Sequence, residues 1–574
     1  MKKIYTLIIS FLISTFAFNV QSQNLQWAFN VGGANNQYAM DVTTDTSGNI
    51  ITAGSFNGSC DFDPGTGVTT LAALNGNSDG FVAKYDANKT FQWAKKFGSG
   101  NTSDDCNAVA TDASGNVFIG GDFGDVIDLD PGTGTVSVTA AGFLDGFVVK
   151  LDAAGNYLWG FTISGSTGFE EVIALTTDAS GNLYVTGYFQ GTIDFDPGAG
   201  TTNLTCIGSS SDVFFAKYDA AGNLVWAKNI GGSGVAMIPF DITLDAIGSV
   251  LLTGSFTGTA DFNPATGTAN LSAGNQDDIF FAKYDISGNY LWAHNLGNTD
   301  FNTPQSIVAD ANNNVYISGS FYSTIDFNTG TGTANLTSVG QADIYFASYD
   351  ASGNYRWANR FGSTAPTFDE IGYDLAVTDL GFIYMCGIYR NTIDIDPGAT
   401  TVNLISNGQT DMFLAKFDAL GNYQTAFTIG STGNDFAEAI ALDNSGNIYL
   451  AGAFNATCDF DPSSGTTNLT ASAADMFLAK YGNGFVGITE NNFQNNFILY
   501  PNPVRNELAI SNLQLAAGDE IKIIDVVGRE IYKTQVAFPA SSITIETSNL
   551  IGGIYFVEMK VQNKKTVRKI IKAE

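Results

Sequence analysis

The sequence predicts an all-β protein: a seven-bladed β-propeller followed by a small β-sandwich. Three observations predict it. One module recurs seven times at a period of 65 to 68 residues, and self-similarity at a fixed period marks a repeat architecture. Each module reads as four short strands. The residues beyond about 484 abandon the module for a different run of short alternating strands. The tryptophans show the period first. Trp27, Trp93, Trp159, Trp226, Trp292 and Trp357 are the six in the chain, and Thr425 holds the seventh slot.

The chain opens with Lys2 and Lys3, then an apolar run from Ile4 to Phe18 and small residues at Val20 and Ser22. That pattern predicts a secretory signal peptide over 1–22, cut near Ser22–Gln23. No later run of about 18 apolar residues exists, so no transmembrane span is expected in the mature chain. The repeats fill 23–484. In one unit, Ala108 to Asp112 alternates and ends in the turn Asp112-Ala-Ser-Gly-Asn116. There Asp bonds its own turn and Gly supplies positive φ. Val117 to Phe123 is the second strand, and a long connection carries Asp128-Leu-Asp-Pro-Gly132. Phe147 to Leu151 is the third strand, Asp152 to Asn156 turns the chain, and Tyr157 to Ile163 is the fourth. Four strands per unit with Gly-rich turns fit a propeller blade. The chain enters the repeat on a fourth strand, Leu25 to Val31, and leaves after a third, Phe477 to Tyr481. The N-terminal strand is therefore expected to complete the seventh blade.

Net charge is −31, and it falls on the repeats; from Asn492 onward the chain is slightly basic. That shift marks a boundary, and so acidic a body repels phosphate backbones, which excludes nucleic acid as a partner. Lys84, Lys150, Lys217, Lys283, Lys416 and Lys480 share one slot and are expected to pair with a repeat aspartate inside the blade. Cys60 and Cys458 fill an apolar slot held by Ile127, Ile193, Ile325 and Ile393 in other copies, so buried thiols are expected. A closed ring brings their units together, but the Cα limit of about 7 Å for a disulfide argues against a bridge.

Asn313-Asn-Val-Tyr-Ile-Ser-Gly319, Asp278-Ile-Phe-Phe-Ala-Lys-Tyr-Asp285 and Gly-Asn289-Tyr-Leu-Trp292 resemble the bacterial seven-bladed β-propeller repeat family over about residues 24 to 484. A polar linker, 485–496, leads to the tail, 497–574. Tyr500-Pro501-Asn502-Pro503, Asp525-Val-Val-Gly528-Arg529, Leu550-x-Gly552-Gly553-Ile-Tyr555 and the run Lys564 to Lys572, with Lys569 in it, closely resemble the C-terminal sorting domain of the type IX secretion system. The resemblance implies the type IX machinery as partner. It also implies passage through the periplasm and delivery outside the outer membrane, on the cell surface or released.

Catalytic chemistry is sparse. The one histidine, His294, reads as an exposed repeat position, and it makes multi-His zinc sites and a Ser-His-Asp triad poor fits. Repeat acids sit in seven near-equal environments, whereas glycoside hydrolysis needs two acids in distinct ones. Non-repeated acids are the better ligand-binding candidates: Asp104, Asp105, Glu170, Glu171, Asp369 and Glu370, in loops leading into first strands. Calcium is the one cofactor with a candidate site, the Asp-x-Asp-Pro-Gly segment: Asp61 and Asp63, Asp128 and Asp130, Asp194 and Asp196, Asp394 and Asp396, Asp459 and Asp461. The competing reading has the repeat lysines neutralise these acids. The leading expectation is a non-enzymatic binding module for a glycan or protein. A polysaccharide-cleaving enzyme using loop acids and a structural or adhesive surface component are the alternatives.

Overall fold

The structure is a computed structural model of the chain. It describes residues 24–482 and 498–572, apart from 99–100, 167, 209, 275, 364–367, 369, 379, 501–503, 516–518, 526–528, 537–539, 551–552 and 562–563. The expected signal peptide and linker, and Pro501, Asn502, Pro503 and Gly528 of the tail, lie outside the described residues. Two compact units emerge, Met1–Gly484 and Phe485–Glu574.

The first unit is seven antiparallel four-stranded sheets, each ordered first to fourth strand. Blades one to six span 37–97, 105–163, 171–230, 237–296, 303–361 and 371–429; blade seven joins 436–481 to 25–31. The strand Leu25–Val31 pairs antiparallel with Asp475–Tyr481, Trp27 opposite Lys480 and Val31 opposite Met476. Each first strand packs against the next, and that of blade seven packs against that of blade one. The ring is closed by the N-terminal strand, as its phase predicted.

The repeat residues staple each blade to its neighbour. Lys84 Nζ sits 2.9 Å from Asp45 Oδ2, both nearly fully buried. The pairing recurs as Lys150–Asp112 at 3.2 Å, Lys217–Asp178 at 3.4 Å and Lys283–Asp245 at 2.7 Å. Lys84 also donates to Ala153 O in a turn of the next blade, and Trp93 Nε1 donates to that same carbonyl, 3.2 Å each. In the same turn Gly155 (φ +80°) has no side chain, and a Cβ there would meet the Trp93 ring at 2.8 Å. Glycine is required by both backbone and neighbour. Blade five lacks the lysine and has Ser348. Arg356 replaces it, donating to Ser348 Oγ, Tyr316 Oη and Ala419 O. In blade six the turn slot is Thr378, whose carbonyl accepts Gly381 N.

Phenylalanines fill the space between blades: Phe56, Phe62 and Phe81 pack together, as do Phe189, Phe195 and Phe214. All five cysteines are free and buried, Cys60 and Cys458 in separate cores. His294 is a correction. It is half-buried, 5.4 Å from the rings of both Trp292 and Phe281, and burial lowers its pKa.

The second unit holds a three-stranded and a four-stranded sheet. Leu508, Ile510, Ile521, Ile523, Ile545, Val557 and Ile570, drawn from both sheets, form one core, which makes it a β-sandwich. Gly553–Val561 pairs with Glu520–Asp525 and with Lys564–Lys572; Tyr555 lies opposite Ile570, and Lys569 opposite Phe556.

Candidate functional site

The non-repeated acids divide by exposure. Asp104, Glu170 and Glu370 are fully buried, not solvated loop charges. Each sits just before a first strand and caps a neighbouring loop. Asp104 Oδ1 accepts Gly124 N at 3.1 Å, Glu170 Oε2 accepts Gly165 N at 3.1 Å, and Glu370 Oε1 accepts Ser363 Oγ at 2.5 Å. Burial raises Glu170 and Glu370 to about 7 each. Equivalent slots hold Gln37, Met237, Asn302 and Asp435, the last also fully buried and accepting Ser431 N and Asn455 N. These side chains build the blade junctions. Asp369 lies outside the described residues.

The Asp-x-Asp-Pro-Gly acids hold their own loop. Asp61 Oδ1 accepts Thr69 N at 2.7 Å and Asp63 N at 3.1 Å, while Asp63 Oδ1 accepts Gly65 N at 2.8 Å. Asp128 and Asp130, Asp194 and Asp196, Asp394 and Asp396 repeat the pattern. Asp459 Oδ1 likewise takes Asp461 N and Thr467 N, and Asp461 takes Ser463 N. Lys84, Lys150, Lys217, Lys283 and Lys480 do not neutralise these acids, because they are engaged with the turn aspartates of the staple. Among the described residues no three acids, histidines or cysteines are arranged to hold one metal ion.

Asp105 and Glu171 join a cluster that the sequence did not show, at the rim where blades two and three meet. Asp105 lies opposite Asp122 across the first two strands of blade two. Glu171 lies opposite Tyr188 in blade three, and Tyr188 Oη donates to Glu171 Oε1. Asn107 Nδ2 ties the blades by donating to Asp122 Oδ1 at 3.0 Å and Val172 O at 3.1 Å. Asp122 is pushed well up by burial, then by the charges of Glu171 and Asp105. Burial likewise raises Asp105 and Glu171.

Beside this cluster two aromatic rings stand in solvent. Phe143 is 71% exposed and Phe169 41%, yet they stack on each other at 5.5 Å and 19°. The backbone fixes them. Phe143 N donates to Gly168 O at 3.0 Å, Glu170 N donates to Leu144 O at 2.9 Å, and Leu144 bridges Phe169 in parallel. Phe169 and Glu171 are two residues apart on one extended segment and so share a face. Elsewhere the slot of Phe143 holds Asn77, Ser210, Gln276, Gln341, Gln409 and Ala473.

Through the ring's centre runs a cavity of about 370 Å³ lined by the seven first strands. Every first strand is bulged. The bulge residue differs in every blade: Met40, Asn107, Ile173, Phe240, Gln305, Tyr373 and Glu438. The next residue is Asp41, Ala108, Ala174, Asp241, Ser306, Asp374 or Ala439. The three aspartates reach to the following blade: Asp41 Oδ2 accepts Val109 N at 2.7 Å, Asp241 Oδ2 accepts Ile307 N at 2.8 Å, and Asp374 Oδ2 accepts Ile440 N at 2.9 Å. Burial raises them to about 7, 6 and 8.

A family model described as Secretion system C-terminal sorting domain matches residues 498–573. The tail is a type IX sorting domain. It marks the protein for export to the cell surface or beyond it. A model described as Beta-propeller repeat matches residues 92–122, across the seam of blades one and two. Among curated proteins, WD repeat-containing protein L264 of Acanthamoeba polyphaga mimivirus is 26% identical over 565 residues, spanning 84% of this chain and 40% of that protein. Regulatory protein FlaEY of Caulobacter vibrioides is 24% identical over 202 residues, 35% of this chain and 20% of that protein. The chain thus spans well under half the length of either relative. Among solved structures, Sqt1 from Chaetomium thermophilum shares 10% identity at a TM-score of 0.36, covering 74% of this chain and 97% of that one.

Proposed function

We propose that this exported propeller is a carbohydrate-binding module, with its binding surface at the rim of blades two and three. The exposed Phe143–Phe169 stack carries the reading. No blade needs it, since the other six hold small or polar residues at the Phe143 slot. Exposed aromatic surface beside polar groups is the usual makeup of a recognition site. A pyranose ring lays its apolar face on such rings and turns its hydroxyls toward Glu171, Tyr188 and Asp105.

The rim acids suit a hydroxyl-rich ligand. Asp105, Asp122 and Glu171 are all pushed up, each mainly by burial and Asp122 furthest. A carboxyl accepts hydrogen bonds from hydroxyls when ionised and also donates when protonated.

A glycan array probed with the full secreted chain tests this. Binding is expected, and Phe143→Ala/Phe169→Ala should weaken it at least tenfold. A chain that binds no glycan, or one whose glycans are bound equally by the double variant, contradicts the proposal.

A further inference from the structure

The channel wall contains an arrangement that full ionisation cannot satisfy. Ser306 Oγ lies 3.1 Å from Asp241 Oδ2 and 2.9 Å from Asp374 Oδ1. A hydroxyl has one hydrogen to donate. It serves one of these oxygens, and the other contact then sets acceptor against acceptor unless that carboxyl carries a hydrogen of its own. The neighbouring donors are already committed. Ile242 N and Ile307 N serve the two oxygens of Asp241 at 2.7 and 2.8 Å. Leu375 N and Ile440 N serve those of Asp374 at 2.7 and 2.9 Å.

We infer that a proton is held in the chain Asp374–Ser306–Asp241: the Asp374 carboxyl donates to Ser306 Oγ, and Ser306 donates to Asp241. One proton then ties blades four, five and six across the channel wall, and its loss is a pH-sensitive switch. The seven blades support the assignment among themselves. Of the residues in this layer only Ser306 is a hydroxyl, and it stands in the blade between the two acids. The electrostatics place the proton on Asp374. Burial raises it most, and the charges of Asp241 and Asp41 raise it further, to about 8, whereas Asp241 stays at about 6.

The other titratable groups facing the chain are Asp41, Tyr373 and Glu438 along the cavity and Cys386 behind Asp374. No lysine, arginine or histidine is among the lining residues. As pH rises the second carboxylate has no cation to meet. The Ser306 link to it breaks, and two like charges share the wall. A raised carboxyl contributes stability below its ordinary pKa, and that contribution is lost as pH rises through the folded value. The link is therefore intact at neutral and acid pH and opens near pH 8.

Infrared spectroscopy of the full secreted chain tests this through the carbonyl stretch of protonated carboxylic acid. Part of the wild-type band should disappear between about pH 6.5 and about pH 9, where no ordinary carboxyl titrates. Asp374→Asn, whose amide supplies the missing donor, should lack that component, and its melting temperature should fall less over the same range. Ser306→Ala should move the midpoint of the loss, and it carries the test if Asp374→Asn does not fold. A band that neither variant alters, or no titrating band above about pH 6.5, overturns the inference.

Discussion

At the scale of single residues, the repeat told which positions matter to the blade but not which positions meet. The lysine slot was legible as a buried partner for an aspartate, because a cation recurring on a strand otherwise apolar has no other use. Its partner was not legible. The period aligns slots along the chain, whereas contact depends on strand pairing, and Lys84 meets the turn aspartate Asp45 across the sheet. Burial, the strongest influence on Asp45, pushes its carboxyl up; Asn49 and Lys84 more than reverse this, and its pKa lies below the ordinary value. Lys84→Met leaves that buried carboxylate without its cation, held only by Ser47 N, Asn49 N and Asn49 Nδ2, which should cost up to about 3 kcal/mol, read as a lower melting temperature. The rim residues escaped notice for a related reason. Asp105 and Glu171 stood out as non-repeated acids, but Asp122, Tyr188, Phe143 and Phe169 are ordinary strand and loop residues until the period is subtracted slot by slot. The same subtraction would have found Asp41, Asp241 and Asp374.

At the scale of elements, strand boundaries and ring closure were legible because turn chemistry punctuates every blade and the phase at each end is fixed by the count. The bulges were not. A bulge shifts the inward face by one residue without altering composition, and that shift is what places the channel aspartates. The closing strand carries a direct consequence. Deleting Gln23 to Gly33 strips blade seven of its outer strand and bares the edge Asp475–Tyr481, a template for intermolecular pairing. The deleted chain should melt lower and aggregate in a concentration-dependent way, seen by light scattering. An unchanged melting temperature would contradict closure by this strand.

At the scale of the whole molecule, net charge and buried acids act in the same direction. Asp41, Glu170, Glu370 and Glu438 are raised to about 7, Asp241 and Asp411 to about 6 and Asp374 to about 8, each mainly by burial. The folded chain therefore holds more protons than the unfolded one between about pH 4 and these values. Stability falls as pH rises across that window. The melting temperature should climb as pH is lowered from about 8.5 to about 5.5, and a flat or opposite trend would show that these carboxyls remain ionised when buried.

The account rests on a separation: the staple residues that recur from blade to blade build the ring, and the exposed rim residues that break the repeat, Phe143 and Phe169, serve recognition. Calorimetry on two variants of the same exported chain tests it most directly, once a bound glycan is in hand. Phe143→Ala removes a side chain 71% exposed, so it should lower glycan affinity at least tenfold and leave the melting temperature unchanged. Lys84→Met should lower the melting temperature and leave the affinity of the folded protein unchanged. The reverse pattern, or the loss of both properties in both variants, would contradict the separation.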